Sequence, residues 1–237
     1  MAITTSGTTI IMAETAVLVR LLTWLSPAFP IGGFAYSQGL ETAIAEHRIA
    51  TIGDVKAWLE GQLHAGAIRN DAAFVGIAAR AVAKGDADSL QMVNDLALAL
   101  QSSAERDKET REQAQSFLEA ANAWPVEVSD WLAVAFENPM ALPVAIGAMA
   151  GLHGIEAPSV IAGFVNAYVG QQISVAIRLV PLGQTEGVTL QAQLEPNIAE
   201  LADWAAGAQI DDIGSFGLGT DIASLRHEDL PVRIFRS

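Results

Sequence analysis

A run of 21 uncharged residues, Ala157 to Ile177, most strongly limits how this chain can fold. A helix of this length and composition either crosses a bilayer or lies buried on nearly all sides within a protein core. Asn166 and Gln171 interrupt the run, Pro158 lies in its first turn, and no aromatic or basic anchor precedes it. We therefore expect a buried central helix and no membrane span.

Most other segments also repeat apolar residues at helical spacing. Capping residues such as Thr51 with Asp54 mark helix starts, and Pro139 and Pro143 lie close enough together to split a helix. The stretch Val188–Leu194 alternates like a strand, but a lone strand would have no partner, so we interpret it as a helix. The sequence predicts an all-α fold, a single compact bundle of roughly eight to ten helices with an extended C-terminal tail.

Two further patterns concern helix packing. Gly147 and Gly151, four residues apart, would let a neighbouring helix approach closely.

From Asp88 to about Asn122 the pattern is helical, and its middle, Glu105 to Glu112, is densely charged. Such a run is typical of a solvated helix face, where opposite charges four residues apart support each other.

Three regions are expected along the chain. Residues 1–12 are Thr-rich and predicted to be disordered, residues 13–225 form the helical domain, and residues 226–237 form a partner-binding tail. The first residues lack the basic and apolar parts of a secretory signal, which favours a cytoplasmic location.

Composition narrows the class of partner. Charged residues make up 17% of the chain, against roughly 25% in an ordinary soluble domain, so apolar surface is expected to be covered by a partner or a second copy. An alanine-rich helical composition explains the low charge equally well. The formal net charge of −14 argues against nucleic acid and favours a basic protein partner.

Nothing in the sequence forms a recognisable catalytic or metal-binding constellation. There is no cysteine, which excludes disulfides, thiolate ligands and a cysteine nucleophile. The four histidines are scattered, and His227 with Glu228 and Asp229 is the one grouping of an imidazole with carboxylates. Phosphate loops, dinucleotide-binding glycines and a nucleophile elbow are all absent. No catalytic residue, cofactor or metal site is therefore expected.

Two segments are unusual for a helical protein. The first, Ser26–Glu41, has two prolines and three glycines around Phe29, Phe34 and Tyr36, which is more than a plain helix connection needs and suits recognition. The second, Arg226–Ser237, ends with alternating basic and apolar residues, as in a segment that docks in a partner's groove. We call these the motif loop and the tail.

At these two segments the chain resembles the UreF family of urease accessory proteins. The motif loop matches the family pattern S-P-A-x-P-[IV]-G-G-F-x-Y-S-Q-G-L-E, and the tail matches S-x-R-H-E-x-x-x-x-R-[LI]-F-R-S. Weaker similarity lies at Glu105–Arg111, Pro143–Gly147, Tyr168–Gln172 and Arg178–Gly183. The resemblance therefore spans nearly the whole chain.

The resemblance implies an all-α scaffold without enzymatic turnover. Such a scaffold forms a homodimer, binds UreD (also called UreH) and recruits the GTPase UreG to apo-urease for GTP-dependent nickel insertion. In this sequence the UreD contact would fall on Arg233, Ile234, Phe235, Arg236 and Ser237. The motif residues near the functional face would be Pro30, Gly32, Gly33, Tyr36, Gln38, Gly39 and Glu41. Four more residues complete the expected partner-binding set: Arg178, Arg226, His227 and Glu228.

Three alternatives remain open at this point. The chain could activate the GTPase through an arginine placed beside the nucleotide, with Arg178, Arg106 or Arg111 as candidates. It could be a metallochaperone that binds nickel directly through His227 or His153, although several converging ligands would be needed. It could be a small hydrolase that uses carboxylates, which only the abundance of acidic residues favours.

Overall fold

The computed structural model describes the backbone of residues 5–237 and the side chains of residues 14–237. Within this part of the chain there are eleven α-helices, three 3₁₀ helices and no strand. The α-helices are α1 Thr5–Trp24, α2 Leu40–Ala45, α3 Ile52–Ala65, α4 Ala67–Lys84, α5 Ala87–Ala99, α6 Ala104–Ala121, α7 Asp130–Glu137, α8 Leu142–Leu152, α9 Ala157–Leu179, α10 Gln184–Gly207 and α11 Leu218–Arg226. The 3₁₀ helices are Gly33–Ala35, Ile210–Asp212 and His227–Asp229.

The all-α prediction is confirmed, but the described residues form eleven α-helices instead of eight to ten. One reason is that the pattern from Asp88 to Asn122 is two helices. The hydroxyl of Ser103 accepts a hydrogen bond from the backbone N–H of Arg106 at 3.2 Å, which caps a new helix after α5. Val188–Leu194 lies within α10, as the helical interpretation predicts.

Helix α1 begins at Thr5, inside the segment over residues 1–12 for which disorder is predicted. Residues 1–4 lie outside the described residues. The apolar repeat in this part of the sequence starts only near Val17, whereas the helix begins twelve residues earlier. A helix that is already formed gains one hydrogen bond for each residue added, so it can extend beyond the residues whose apolar repeat predicts it.

Helix α9 contains the long uncharged run and packs against α4, α8 and α10. By length and composition it is the one described helix that could cross a membrane, but half of its most apolar stretch is buried within the protein. Its fully buried residues are Val160, Ile161, Val165, Val169, Gln172, Val175 and Ala176. This packing fits the core helix that the sequence predicts.

The most extensive helix contact joins α4 to α8. A Cβ atom at Gly147 would overlap the carbonyl oxygen of Val75, and one at Gly151 would overlap that of Ala79. The predicted role of these glycines in close helix packing is therefore confirmed. The predicted split at the two prolines is also found, because α7 and α8 are separate helices.

Candidate functional site

The motif loop joins α1 to α2 and depends on an unusual backbone. Three of its residues have positive φ: Gly32 at 72°, Gln38 at 55° and Gly39 at 84°. A Cβ atom at Gly39 would lie 2.9 Å from the backbone nitrogen of Ser224, on α11. Glycine at this position therefore provides both the left-handed conformation and the space for α11.

Aromatic packing anchors the start of the motif loop in the core. Phe29 is buried, with its ring centroid 5.6 Å from that of Phe117 and 6.3 Å from that of Trp124. Trp24, at the end of α1, contacts Phe117 edge-on at 5.6 Å. Rings at these separations and tilts stabilise each other beyond the area they bury. The start of the loop is thus held firmly although it contains no α-helix.

The tail folds back along the motif loop. The backbone N–H of Arg236 donates to the carbonyl of Ala35 at 2.8 Å. The N–H groups of Ser37 and Gln38 both donate to the backbone oxygen of Ser237, at 2.8 and 3.0 Å. The sequence predicts an extended tail, whereas its residues His227–Asp229 form a 3₁₀ helix. The end of the tail packs against its own chain, and the two unusual segments form one surface. We call this surface the loop–tail platform.

Glu41 joins the two parts of the platform. Its carboxylate is buried and accepts hydrogen bonds from the N–H groups of Ile234 at 2.7 Å and Phe235 at 3.1 Å. The Nε2 atom of His227 lies 3.0 Å from the same carboxylate. An ionised carboxylate only accepts hydrogen bonds and has about four sites for them, so it accommodates all three contacts from the tail. Glu41 therefore holds the tail in place.

His227 is fully buried between two carboxylates. Its Nε2 atom faces Glu41, and its Nδ1 atom lies 2.7 Å from a carboxylate oxygen of Glu105. The other oxygen of Glu105 accepts from Arg233 at 2.8 Å. Because a neutral imidazole has one N–H, only the imidazolium form donates to both carboxylates at once. Through contacts on both sides of its ring, His227 joins α2, α6 and the tail.

Glu109 is a second buried carboxylate, and it lies at the end of the tail. It accepts from the Gln38 amide at 2.8 Å and from the Ser237 hydroxyl at 2.8 Å. It is also paired with Arg106, one turn earlier on α6. Buried charges are tolerated when they are paired and hydrogen-bonded in this way. Glu109 thus connects α6 to both the loop and the tail.

Arg178 lies over the outer side of the platform. Its guanidinium carbon is 4.7 Å from the ring centroid of Phe235, and the residue as a whole is exposed. Its Nη1 atom donates to the carbonyl of Phe34 at 3.2 Å. This cation–π contact fixes an exposed positive charge from α9 beside the tail.

Tyr36 forms a similar arrangement with Arg236 and Glu112. The Tyr36 hydroxyl donates to Glu112 at 3.0 Å, and Arg236 pairs with the same carboxylate at 2.9 Å. The Arg236 guanidinium lies 5.2 Å from the Tyr36 ring centroid. Burial first, and then the hydrogen bond to Glu112, raise the pKa of Tyr36 to about 12. The phenol is therefore a neutral hydrogen-bond donor at ordinary pH.

A cavity of about 230 Å³ lies behind the motif loop, between α4, α6, α8 and α9. Asp71, Arg106, Glu109 and Tyr168 line its polar side. Burial raises the pKa of Asp71 to about 6; Glu109 adds to the rise and Arg106 opposes it. The pKa of Tyr168 is also raised, chiefly by burial. One side of the cavity is therefore polar, and the charge on Asp71 changes near pH 6.

The residues expected to bind partners are buried, exposed or partly exposed, and the first two groups have different roles. One group is buried and holds the platform together: Tyr36, Gly39, Glu41, His227, Phe235 and Ser237. The other group is exposed around it: Pro30, Arg178, Arg226, Glu228, Arg233, Ile234 and Arg236. Gly32, Gly33 and Gln38 are partly exposed. The residues that the family motifs group together therefore differ in burial, and only the exposed and partly exposed ones are accessible to a partner.

The sequence interpretation missed the part that α6 plays. Glu105, Glu109 and Glu112 each contact the platform, and Glu109 is buried, so the interpretation of this run as a solvated face is wrong for this side of the helix. Their spacing of four and three residues indicates that they share one helix face, and this pattern could have pointed to a common role. Burial occurs because each carboxylate meets a donor from the loop or the tail.

The described residues contain no group of three or more histidine, cysteine, aspartate or glutamate side chains able to hold a metal ion. Around His227, Glu41 and Glu105 lie against opposite ring nitrogens and therefore do not converge on one point. His153 lies 2.7 Å from Arg20, and its pKa is lowered by burial and by that arginine. Neither histidine proposed for nickel thus has converging ligands.

Comparisons with known proteins agree on one family. The family model described as UreF matches residues 49–195. Two curated relatives, both described as urease accessory protein UreF, extend the similarity to almost the full chain. The protein of Rhodopseudomonas palustris strain BisB5 is 42% identical over 99% of this chain and 97% of its own length. That of Rhizobium johnstonii strain 3841 is 44% identical over 94% of this chain and 98% of its own length.

Proposed function

This chain belongs to the UreF family of urease accessory proteins, and we propose from that premise that it is a scaffold for urease maturation. In this proposal it joins UreD (UreH) and recruits the GTPase UreG to the subunits of apo-urease. Nickel is the cargo of the assembly and is inserted with GTP hydrolysis. The chain contributes surfaces to this process and no catalytic turnover of its own.

The loop–tail platform is the observation that carries the proposal. Arg233, Ile234 and Arg236 are exposed, whereas Phe235 between them is buried and Ser237 is held by the motif loop. The Ile234 side chain is 65% exposed even though its backbone N–H is bonded to buried Glu41. Side chains on a backbone that is already ordered bind a partner with a smaller entropy cost. We assign the UreD contact to this exposed set.

Co-purification tests this assignment. The triple variant R233A/I234D/R236A changes the exposed tail side chains and leaves the buried ones intact. Co-expressed with UreD and UreG, it should lose UreD while its helical circular dichroism stays that of the unchanged protein. The control is V188D, which, like I234D, replaces an exposed apolar residue with aspartate; Val188 is a 72% exposed valine of α10. Undiminished UreD binding by the triple variant, or equal loss with the control, would refute the tail assignment.

Regulation of the GTPase is a second proposed function, and the structure favours one of the three candidate arginines for it. Arg106 is paired with buried Glu109, and Arg111 is paired with Asp107 at 2.9 Å. Arg178 is exposed, and no carboxylate pairs with it among the described residues. We therefore propose Arg178 as the residue that approaches UreG.

GTP hydrolysis by UreG, measured with and without this protein, tests that role. If Arg178 acts on the nucleotide, R178A should remove any acceleration, whereas R111A should retain it. Hydrolysis that is no faster in the presence of the unchanged chain would eliminate GTPase activation and leave the scaffold role standing.

We also propose a homodimer in the cytoplasm, where GTP for UreG is available. Leu18, Val19 and Leu22 of α1 are each more than half exposed, an apolar surface that a second copy would cover. Light scattering after size exclusion should give the mass of two chains for the unchanged protein and the mass of one chain for L22D. The control M92D alters an equally apolar residue, 56% exposed, on α5. A monomeric unchanged protein would contradict the dimer.

A further inference from the structure

A groove of about 850 Å³ runs between the second half of α6 and the segment that contains α7. Its floor includes Trp124, Phe136, Met140 and Met149. Both methionines are buried, while the two aromatic rings are partly exposed. Methionine is flexible and polarisable, and it adapts its shape to what packs against it. The floor is therefore apolar and able to accommodate different side chains.

One wall of the groove has no helix. The backbone from Pro125 to Ser129 forms no regular structure, and within it Val126 and Val128 are 38% and 40% exposed. These valines line the groove beside the aromatic floor. Because the wall is exposed along this length, the groove is open to solvent, as a site for a chain segment needs to be. An enclosed pocket would instead surround a small molecule on most sides.

The charges that line the groove are mainly acidic. Among the described residues that line it, Arg111 is the one cation, against Glu112, Glu119 and Glu137. Arg111 is paired with Asp107, and Glu112 is paired with Lys108 and Arg236.

Glu119 and Glu137 belong to none of the ion pairs within the described part of the chain. Glu119, which accepts a hydrogen bond from Gln115 at 2.9 Å, lies on α6, and Glu137 ends α7. Carboxylates without a cationic partner therefore flank the floor from both elements. An occupant with cations on both sides would complement them.

We propose that this groove binds a basic amphipathic segment of a partner protein. The apolar face of the segment would pack on the tryptophan, phenylalanine and methionine floor. Its lysine or arginine side chains would pair with Glu119 and Glu137. An amphipathic helix laid into a hydrophobic groove is a common mode of peptide recognition, and the acidic rim selects for a basic one.

The groove adjoins the loop–tail platform through one shared residue. Glu112 lines the groove and also accepts hydrogen bonds from Tyr36 and Arg236. A partner on the platform could therefore extend a segment into the groove without leaving the surface. The proposal does not depend on which partner binds the platform, because it rests on the chemistry of the groove alone.

Peptide binding to the full chain tests the proposal. The probe is a fluorescent peptide of leucine and lysine patterned as an amphipathic helix, compared with its counterpart that has glutamate in place of lysine. Anisotropy at physiological salt should show saturable binding of the lysine peptide and none of the glutamate peptide. Absence of saturable binding, or equal binding of both peptides, would overturn the proposal.

Matched variants locate the site. E119Q/E137Q should weaken binding of the lysine peptide by about three- to tenfold, as expected when two charge contacts are removed. V128D should disrupt the apolar contact at a side chain exposed enough to leave the fold intact. E195Q/E200Q, which removes two exposed glutamates of α10, should have no effect. Equal weakening by E195Q/E200Q would attribute binding to the overall acidic charge and overturn the groove assignment.

Discussion

The Nε2 atom of His227 lies 3.0 Å from a carboxylate oxygen of Glu41, although 186 positions separate the two residues in the chain. Through this contact the tail and the motif loop become one surface. Glu105 on the other side of the imidazole adds α6 to the same cluster. The exposed residues of the platform therefore depend on a buried polar cluster for their positions.

The first prediction concerns Glu41. Replacing it with glutamine should lower the free energy of unfolding by about 2–4 kcal/mol, because the buried His227 ring loses a carboxylate partner and two backbone N–H groups lose a charged acceptor. Urea denaturation measures this change. Hydrogen exchange should also show faster exchange at the amides of Ile234 and Phe235. The control E228Q alters an exposed carboxylate of the tail and should change stability by less than about 0.5 kcal/mol.

The second prediction separates strain from steric overlap at two glycines. Gly39 and Gly85 both have positive φ, at 84° and 71°, but a Cβ atom would meet the backbone of Ser224 only at Gly39. G85A should therefore cost about 1 kcal/mol for conformation alone, and G39A about 2–4 kcal/mol because α11 must also move. Thermal or urea unfolding of both variants gives the comparison. Equal losses would argue against the close contact between α11 and the loop.

The third prediction follows from the raised pKa of Asp71, about 6. Since the folded state favours the protonated carboxyl, its stabilising effect is complete below about pH 4 and is lost as pH rises through about 6. D71N should thus be more stable than the unchanged protein above that pH, by about 1–3 kcal/mol, with the difference shrinking toward pH 4. Urea unfolding across pH measures it. A difference independent of pH, or one that D203N reproduces at an exposed site, would contradict the prediction.

The fourth prediction concerns the two tyrosines of the chain. Burial raises the pKa of both Tyr36, to about 12, and Tyr168. Ultraviolet titration should therefore detect no phenolate in the folded protein at pH 10, whereas in urea both should ionise near the ordinary value of 10.0. The protein should also lose stability as pH rises from 10 toward 12, because unfolding frees both groups to ionise. Phenolate absorbance at pH 10 with intact circular dichroism would rule this out.

Much of the fold could be predicted because its signals are local. The capping of α3 by Thr51 and the split between α7 and α8 depend on residues a few positions apart, and both are found. The break before α6 was missed because Ser103 caps a helix inside a pattern that is helical on both sides. The buried face of α6 was missed for another reason. Burial of Glu109 depends on donors from Gln38 and Ser237, which are remote in sequence.

The sequence by itself determined the helical class, the core position of α9 and, through the motif loop and the tail, the family. Each of these depends on local periodicity or on the residues of a short motif. Only the tertiary structure decided that the two motifs meet, with Glu41 and His227 buried and Arg178, Arg233 and Ile234 exposed. The physical reason is that a carboxylate can be buried only where matching donors converge, and those donors come from distant parts of the chain.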